Sequence, residues 1–134
     1  MTEPQTASNS FSMIHKIAIT LLFLMMAQPT FDNIKALATG SMVMGEIIIE
    51  VTFSKMILHI IAMIVGWVGL WWFIQRKKLG AYASIAAHVL GFTAVMTQTP
   101  ELLEGFPPAA LAVFFVVLFA ITLGPVFKYT EEFA

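Results

Sequence analysis

The sequence predicts an all-α membrane protein, a polytopic bundle of four antiparallel transmembrane helices. Of its 134 residues, 59% are hydrophobic and only 11% are charged, and the mean hydropathy is +0.87. A soluble domain carries about a quarter charged residues, and a chain this short exposes a large share of its surface. Four apolar segments reach the length of about 20 residues that a spanning helix needs. None of them alternates as the strands of a membrane barrel do.

The first helix is predicted from about residue 14 to residue 31, within FSMIHKIAITLLFLMMAQPTF. Residues 1–13 are polar, and we expect them to be flexible. A cation precedes the apolar run, as it does in a signal peptide. The sequence MMAQPT is a poor cleavage site because it lacks the small-x-small pattern, however, so we expect the helix to be retained.

The connection over residues 32–52 contains two different patterns. FDNIKALATG predicts a short amphipathic helix that ends at Gly40. MGEIIIEVTF leaves two structures open for residues 42–52, because its β-branched residues favour a strand whereas Glu46 and Glu50 could share one face of a helix. We expect a break before Phe53, where the second spanning helix begins.

The remaining helices are predicted at about 53–75, 79–96 and 108–127, followed by a short tail over residues 128–134. QRKK is the only linker between the second and third helices, so these two helices should be antiparallel neighbours. Small residues recur on both and predict a close seam, since lipid provides no hydrophobic force between helices. The seam residues are Ala62, Gly66 and Gly69 on the second helix, and Gly80, Ser84, Ala87 and Gly91 on the third. The fourth helix is rich in phenylalanine and should face lipid or a partner over much of its length.

Aromatic and basic residues mark the end of the second helix: Trp67, Trp71 and Trp72 precede Arg76, Lys77 and Lys78. Tryptophan collects at the membrane surface, where its ring lies in lipid and its N–H meets water. These six residues are therefore predicted interfacial anchors; the alternative is that the tryptophans stack on a bound lipid or quinone.

The distribution of cations predicts the orientation of the chain. Placing both termini in the cytoplasm puts five cations inside and two outside, which the positive-inside rule favours. We expect the protein to be an integral protein of the plasma (inner) membrane.

Two histidines, His59 and His88, lie within the predicted spans and are candidates for function because polar groups there are costly. Counted back from Gln75, they lie about 24 Å and about 14 Å from the boundary. This mismatch disfavours a haem held between them. Glu46 and Glu50 could approach His59 to bind a metal, but their spacing matches no metal motif. A structural histidine, hydrogen-bonded between helices, is the alternative for each.

The sequence contains no cofactor signature. It has no cysteine, which excludes iron–sulfur clusters with thiolate ligands and disulfides, and it has no nucleotide-binding fingerprint. The net charge of −1 gives no indication of nucleic-acid binding. Whether a cofactor or quinone binds is left open by these observations.

The segments KIAITLLFLMMAQPTFDNIKAL and GWVGLWWFIQRKKLGAYASIAAHVLGFTAV resemble the small four-helix membrane proteins of the DoxX-like group. The resemblance covers roughly residues 14 to 98. It departs where His15 and Lys16 stand in place of an arginine that opens the first helix. The resemblance implies a four-helix bundle in a prokaryotic inner membrane, accessory to quinone-linked or sulfur redox systems, and it carries no catalytic residue over.

These observations predict a non-catalytic integral membrane subunit or assembly factor of a larger redox or transport complex. Membrane lipids and other membrane subunits are the expected partners, and a homo-oligomer is the alternative. A second function left open is a small oligomeric transporter or channel with a path along His59, His88 and Glu50. A third is a quinone-reactive oxidoreductase component with a site near His59 and Lys55.

Overall fold

A computed structural model describes residues 3–134. The chain forms four helices, α1 (Glu3–Thr39), α2 (Phe53–Ile74), α3 (Lys78–Gln98) and α4 (Pro108–Lys128). Strands β1 (Ser41–Met44) and β2 (Ile47–Glu50) lie between α1 and α2, and 3-10 turns follow α3 and α4 at Pro100–Leu103 and Thr130–Glu132. All four helices are long and apolar enough to cross a membrane, which confirms the predicted all-α class.

Helix α1 is longer than predicted at both ends. It begins at Glu3, within the segment predicted to be flexible, and it continues through Pro29 to Thr39 without a break. Proline removes one ladder hydrogen bond, here the one to the Met25 carbonyl, but spanning helices tolerate such a loss. In the next turn position, Thr30 Oγ1 donates to the Met26 carbonyl at 2.6 Å. The helix stops where Gly40 adopts a φ of 74°, as the sequence predicts.

The other three helices begin and end within two residues of their predicted positions. Helices α2 and α3 form the most extensive contact in the bundle, along the predicted seam of small residues. A Cβ added at Gly69 would lie 2.8 Å from the Ser84 backbone nitrogen. At Gly66, an added Cβ would lie 3.4 Å from Ala87 Cβ and would also overlap the end of the Met26 side chain.

Residues 41–50 form an antiparallel hairpin, so the strand alternative is correct. The register pairs Met42 with Ile49 and Val43 with Ile48, and Gly45 turns the chain with a φ of 62°. Met42 and Ile49 are buried in a cluster with Ala36, Val51, Met56 and Leu102. The hairpin is held in place because one of its faces supplies part of this apolar core.

The bundle has two chemically distinct ends. At the basic end, the α2–α3 turn carries Arg76, Lys77 and Lys78, and Arg76 lies over the ring of Phe11 from α1, 4.9 Å from its centroid. At the acidic end are the hairpin with Glu46 and Glu50, and the 3-10 turn that follows α3. The start of α1, the α2–α3 turn and the end of α4 therefore lie together, while the side of the membrane they face stays a prediction.

The segment predicted as a short tail, residues 128–134, packs back onto the basic end. The backbone N–H of Ala134 donates to the Arg76 carbonyl at 2.8 Å, and the N–H of Lys78 donates to the Ala134 carbonyl at 2.9 Å. Phe133 is buried. These contacts join the end of α4 to the α2–α3 turn.

Candidate functional site

A cavity of about 550 Å³ lies in the acidic half of the bundle. It exists because only the second half of α4 is buried against the other helices; the buried residues are Leu118, Thr122, Pro125 and Val126. The first half of α4 is exposed or partly exposed at every residue. The space between this half and α1, α2 and α3 is the cavity, and residues of the hairpin and of the 3-10 turn also line it.

Phenylalanine and methionine account for eight of the 23 residues that line the cavity. Four phenylalanines line it, Phe92, Phe106, Phe114 and Phe115, together with four methionines, Met25, Met26, Met42 and Met63. Aromatic faces contact flat apolar groups well, and the unbranched methionine side chain adapts to irregular shapes. A wall of this kind, with few polar groups, is typical of a small-molecule site.

Polar side chains from α1 line the part of the cavity nearest the acidic end. Asp32 is exposed and accepts two hydrogen bonds from Gln28 Nε2, each 3.2 Å long. Asn33 beside it is buried. Because α1 continues past Phe31, Asp32 lies within the first helix instead of in a separate short helix, and both residues line the cavity.

His59 lines the cavity from α2 and is buried. Its Nε2 lies 3.3 Å from Thr99 Oγ1, so the side chain links α2 to the residue that follows α3. Thr99 is eleven residues after His88, which corresponds to about 16 Å along α3. The two histidines therefore lie at different depths, and this separation argues against a haem held between them.

His88 lines the cavity from α3, and only one of its two ring nitrogens has a hydrogen-bond partner among the described residues. Its Nδ1 lies 2.7 Å from the Ser84 carbonyl oxygen, while its Nε2 is buried with no hydrogen-bond partner among the described residues. A buried polar atom without a partner costs about 1–3 kcal/mol. The imidazole packs beside the ring of Phe114, with 5.6 Å between the ring centroids.

The three tryptophans have different surroundings. Trp71 is 60% exposed and Trp72 is half-buried, as interfacial anchors would be. Trp67 instead donates from Nε1 to Thr30 Oγ1 of α1 at 2.9 Å. Its N–H therefore fixes α2 to α1 beside the cavity, a contact that the sequence gives no means of finding.

Replacing Thr30 with valine should lower the free energy of unfolding by about 1 kcal/mol more than replacing Thr20 with valine. Both hydroxyls donate to a carbonyl four residues earlier, so both variants lose that local bond. Only Thr30→Val also removes the acceptor of Trp67. The difference is measured by circular dichroism during unfolding in mixed micelles; equal effects would mean that the Trp67 bond contributes nothing.

The three residues considered for a metal do not form a site. Glu46 and Glu50 are exposed on the hairpin, whereas His59 is buried against Thr99. Among the side chains that the structure describes, in residues 10–43 and 45–134, no group of three or more metal-ligating histidine, aspartate or glutamate residues converges.

Of the remaining predicted anchors, Arg76 lies 3.5 Å from Glu132 in an exposed ion pair. Lys77 is exposed and Lys78 is partly buried. These residues belong to the basic end, the opposite half of the bundle from the cavity.

A comparison with protein-family models gives no match. Searches of curated proteins and of solved structures give no match either. The resemblance to the DoxX-like group accordingly stays a prediction that depends on the sequence segments quoted for it.

Proposed function

We propose that this chain is a membrane protein that binds a lipophilic small molecule in the cavity beside α4. The observation that carries the proposal is the cavity itself, whose volume of about 550 Å³ falls in the usual range of ligand pockets, about 300–1,000 Å³. Its wall combines four aromatic rings with a few polar groups. That combination fits a ligand with a flat apolar body and a small polar group.

The ligand reaches the cavity from the hydrocarbon region. The first half of α4 has no buried residue, and its aromatic contacts with α3 are those of Phe114 with His88 and of Phe115 with Phe92. Phe114 and Phe115 lie on this half and form part of the wall. A molecule dissolved in lipid can therefore pass beside α4 without first crossing the polar surface at either end.

Binding of this kind is compatible with the role predicted from the sequence, a non-catalytic subunit or assembly factor of a larger redox or transport complex in the inner membrane. It is compatible with the transporter and the quinone-reactive component too, because both need a site for a small molecule. The subunit role stays a prediction. Its test is mild detergent extraction from the native membrane, followed by identification of the proteins that copurify in fixed stoichiometry.

Filling the cavity should abolish ligand binding. We expect the protein in lipid nanodiscs to bind pyrene saturably, observed as energy transfer from tryptophan to pyrene. Ala110→Phe introduces a ring at a position that lines the cavity, and should weaken saturable binding by at least about tenfold, which corresponds to 1.4 kcal/mol.

The matched control is Ala120→Phe, which adds the same ring to an exposed position on α4 that is not part of the cavity wall. It should bind pyrene as the unmodified protein does. Pyrene also dissolves in the lipid, so only the part of the signal that saturates near one pyrene per chain is scored. Loss of that part in both variants, or in neither, would contradict the proposal.

A further inference from the structure

The unpartnered nitrogen of His88 indicates which kind of polar group the ligand carries, provided that the cavity binds a ligand as proposed above. Two buried side-chain polar atoms lack a hydrogen-bond partner within the described part of the chain, Ser84 Oγ and His88 Nε2. Ser84 is enclosed in the seam between α2 and α3, where its hydroxyl lies 3.0 Å from a Cβ built on Gly69. His88 is the one of the two that lines the cavity.

The hydrogen bond to Ser84 determines the tautomer of His88. A backbone carbonyl oxygen only accepts hydrogen bonds, so Nδ1, 2.7 Å from it, carries the proton. No carboxylate among the described side chains pairs with the ring, and an unpaired charge in apolar surroundings is costly. In the neutral ring Nε2 is therefore an acceptor, and no side chain that the structure describes donates to it.

Phe114 is the aromatic side chain beside this imidazole. Nε2 itself is buried, so a ligand reaches it only by displacing a neighbouring side chain. Phe114 lies on the half of α4 in which no residue is buried. A flat ligand that takes the place of this ring against the imidazole would bring its polar substituent to Nε2.

We infer that the ligand is a flat, lipophilic molecule with a hydrogen-bond donor on its ring, of which a phenolic hydroxyl is the simplest form, and that this group donates to His88 Nε2. A molecule whose ring carries only acceptors, such as ethers or carbonyls, would face a lone pair there. It would bind by apolar contact alone.

The test compares 1-hydroxypyrene with 1-methoxypyrene in nanodiscs at pH 7, using the same energy-transfer signal as for pyrene. The two probes share the ring system, but only the first donates a hydrogen bond. We expect 1-hydroxypyrene to bind about tenfold more tightly to the unmodified protein. His88→Phe removes the acceptor and should reduce this ratio to about one, whereas His88→Gln keeps an acceptor oxygen and should retain part of it.

Each outcome separates this inference from the proposal it depends on. Equal affinities of the two probes for the unmodified protein, or a ratio that His88→Phe leaves unchanged, would overturn the role of His88 while leaving the binding site intact. Absence of saturable binding for pyrene and both derivatives would overturn the binding function itself. The comparison of probes on the unmodified protein needs no variant, so it holds even if His88→Phe does not fold.

Discussion

Replacing Gly80 with alanine should lower the free energy of unfolding by about 3 kcal/mol, the upper part of the range for overpacking. A Cβ at this position would lie 2.7 Å from Phe73 Cα and 2.7 Å from the carbonyl carbon of Trp72, and it would overlap the Phe73 nitrogen. All three are backbone atoms. No side-chain rotation relieves the contact, so α3 must move away from the end of α2.

Gly91→Ala is the matched control, because it makes the same change on the same helix. Its Cβ would lie 3.8 Å from Ala62 Cβ, an ordinary van der Waals contact, and alanine favours a helix more than glycine does. We expect this variant to be as stable as the unmodified protein or slightly more stable. Unfolding in mixed micelles, followed by circular dichroism, compares the two; a Gly80→Ala variant that matched Gly91→Ala would show that close contact at the α2–α3 turn is unimportant.

The stabilities of the Gly80→Ala and Gly91→Ala variants should differ greatly because the surrounding lipid does not drive helices together. Lipid chains are as apolar as the helix surfaces, so association depends on how closely the helices approach. In the α2–α3 seam the backbones approach closely enough for Gly69 to contact the Ser84 backbone. The sequence predicts this seam correctly because small residues at intervals of three and four lie on one face of a helix.

Where the sequence fails, a local rule is overridden by packing. The first helix is predicted to end at about residue 31, yet α1 continues to Thr39 because residues before and after that point share one buried face. These residues, seven in number, are Phe11, His15, Ala18, Leu22, Met26, Asn33 and Ala36. Similarly, the ambiguity over residues 42–52 is decided by the contact of Met42 and Ile49 with α1 and α2, which no property of the segment alone reveals.

The sequence likewise predicts only those parts of the candidate site that depend on local pattern. His59 and His88 are recognised from the sequence because they are polar residues in apolar segments. The role of Asp32 and Asn33 is missed, because the predicted end of the first helix would place them outside the spanning region. The cavity itself depends on the lack of buried residues in the first half of α4, and hydropathy carries no information about how closely that half packs.

The end of the chain is the other feature that hydropathy misses, and it leads to the second large expected effect. Phe133→Ala should lower the free energy of unfolding by about 3 kcal/mol, as for other buried phenylalanines. The Phe133 ring is 5% exposed and lies 5.6 Å, centroid to centroid, from each of Phe11, His15 and Phe73. Its removal leaves a cavity between α1, α2 and the segment after α4, and unfolding in mixed micelles measures the loss.

Phe127→Ala provides the control, since Phe127 is 68% exposed and its truncation should change stability by less than about 0.5 kcal/mol.

A second measurement reports on the position of the tail itself, residues 128–134. The backbone of Ala134 bonds to Arg76 and Lys78, so release of the tail in Phe133→Ala should accelerate tryptic cleavage after Arg76 in nanodiscs. Phe127→Ala should leave that rate unchanged. If Phe133→Ala were as stable as Phe127→Ala and no more readily cleaved, the tail would not be fixed to the basic end, and the α2–α3 seam alone would hold that end together.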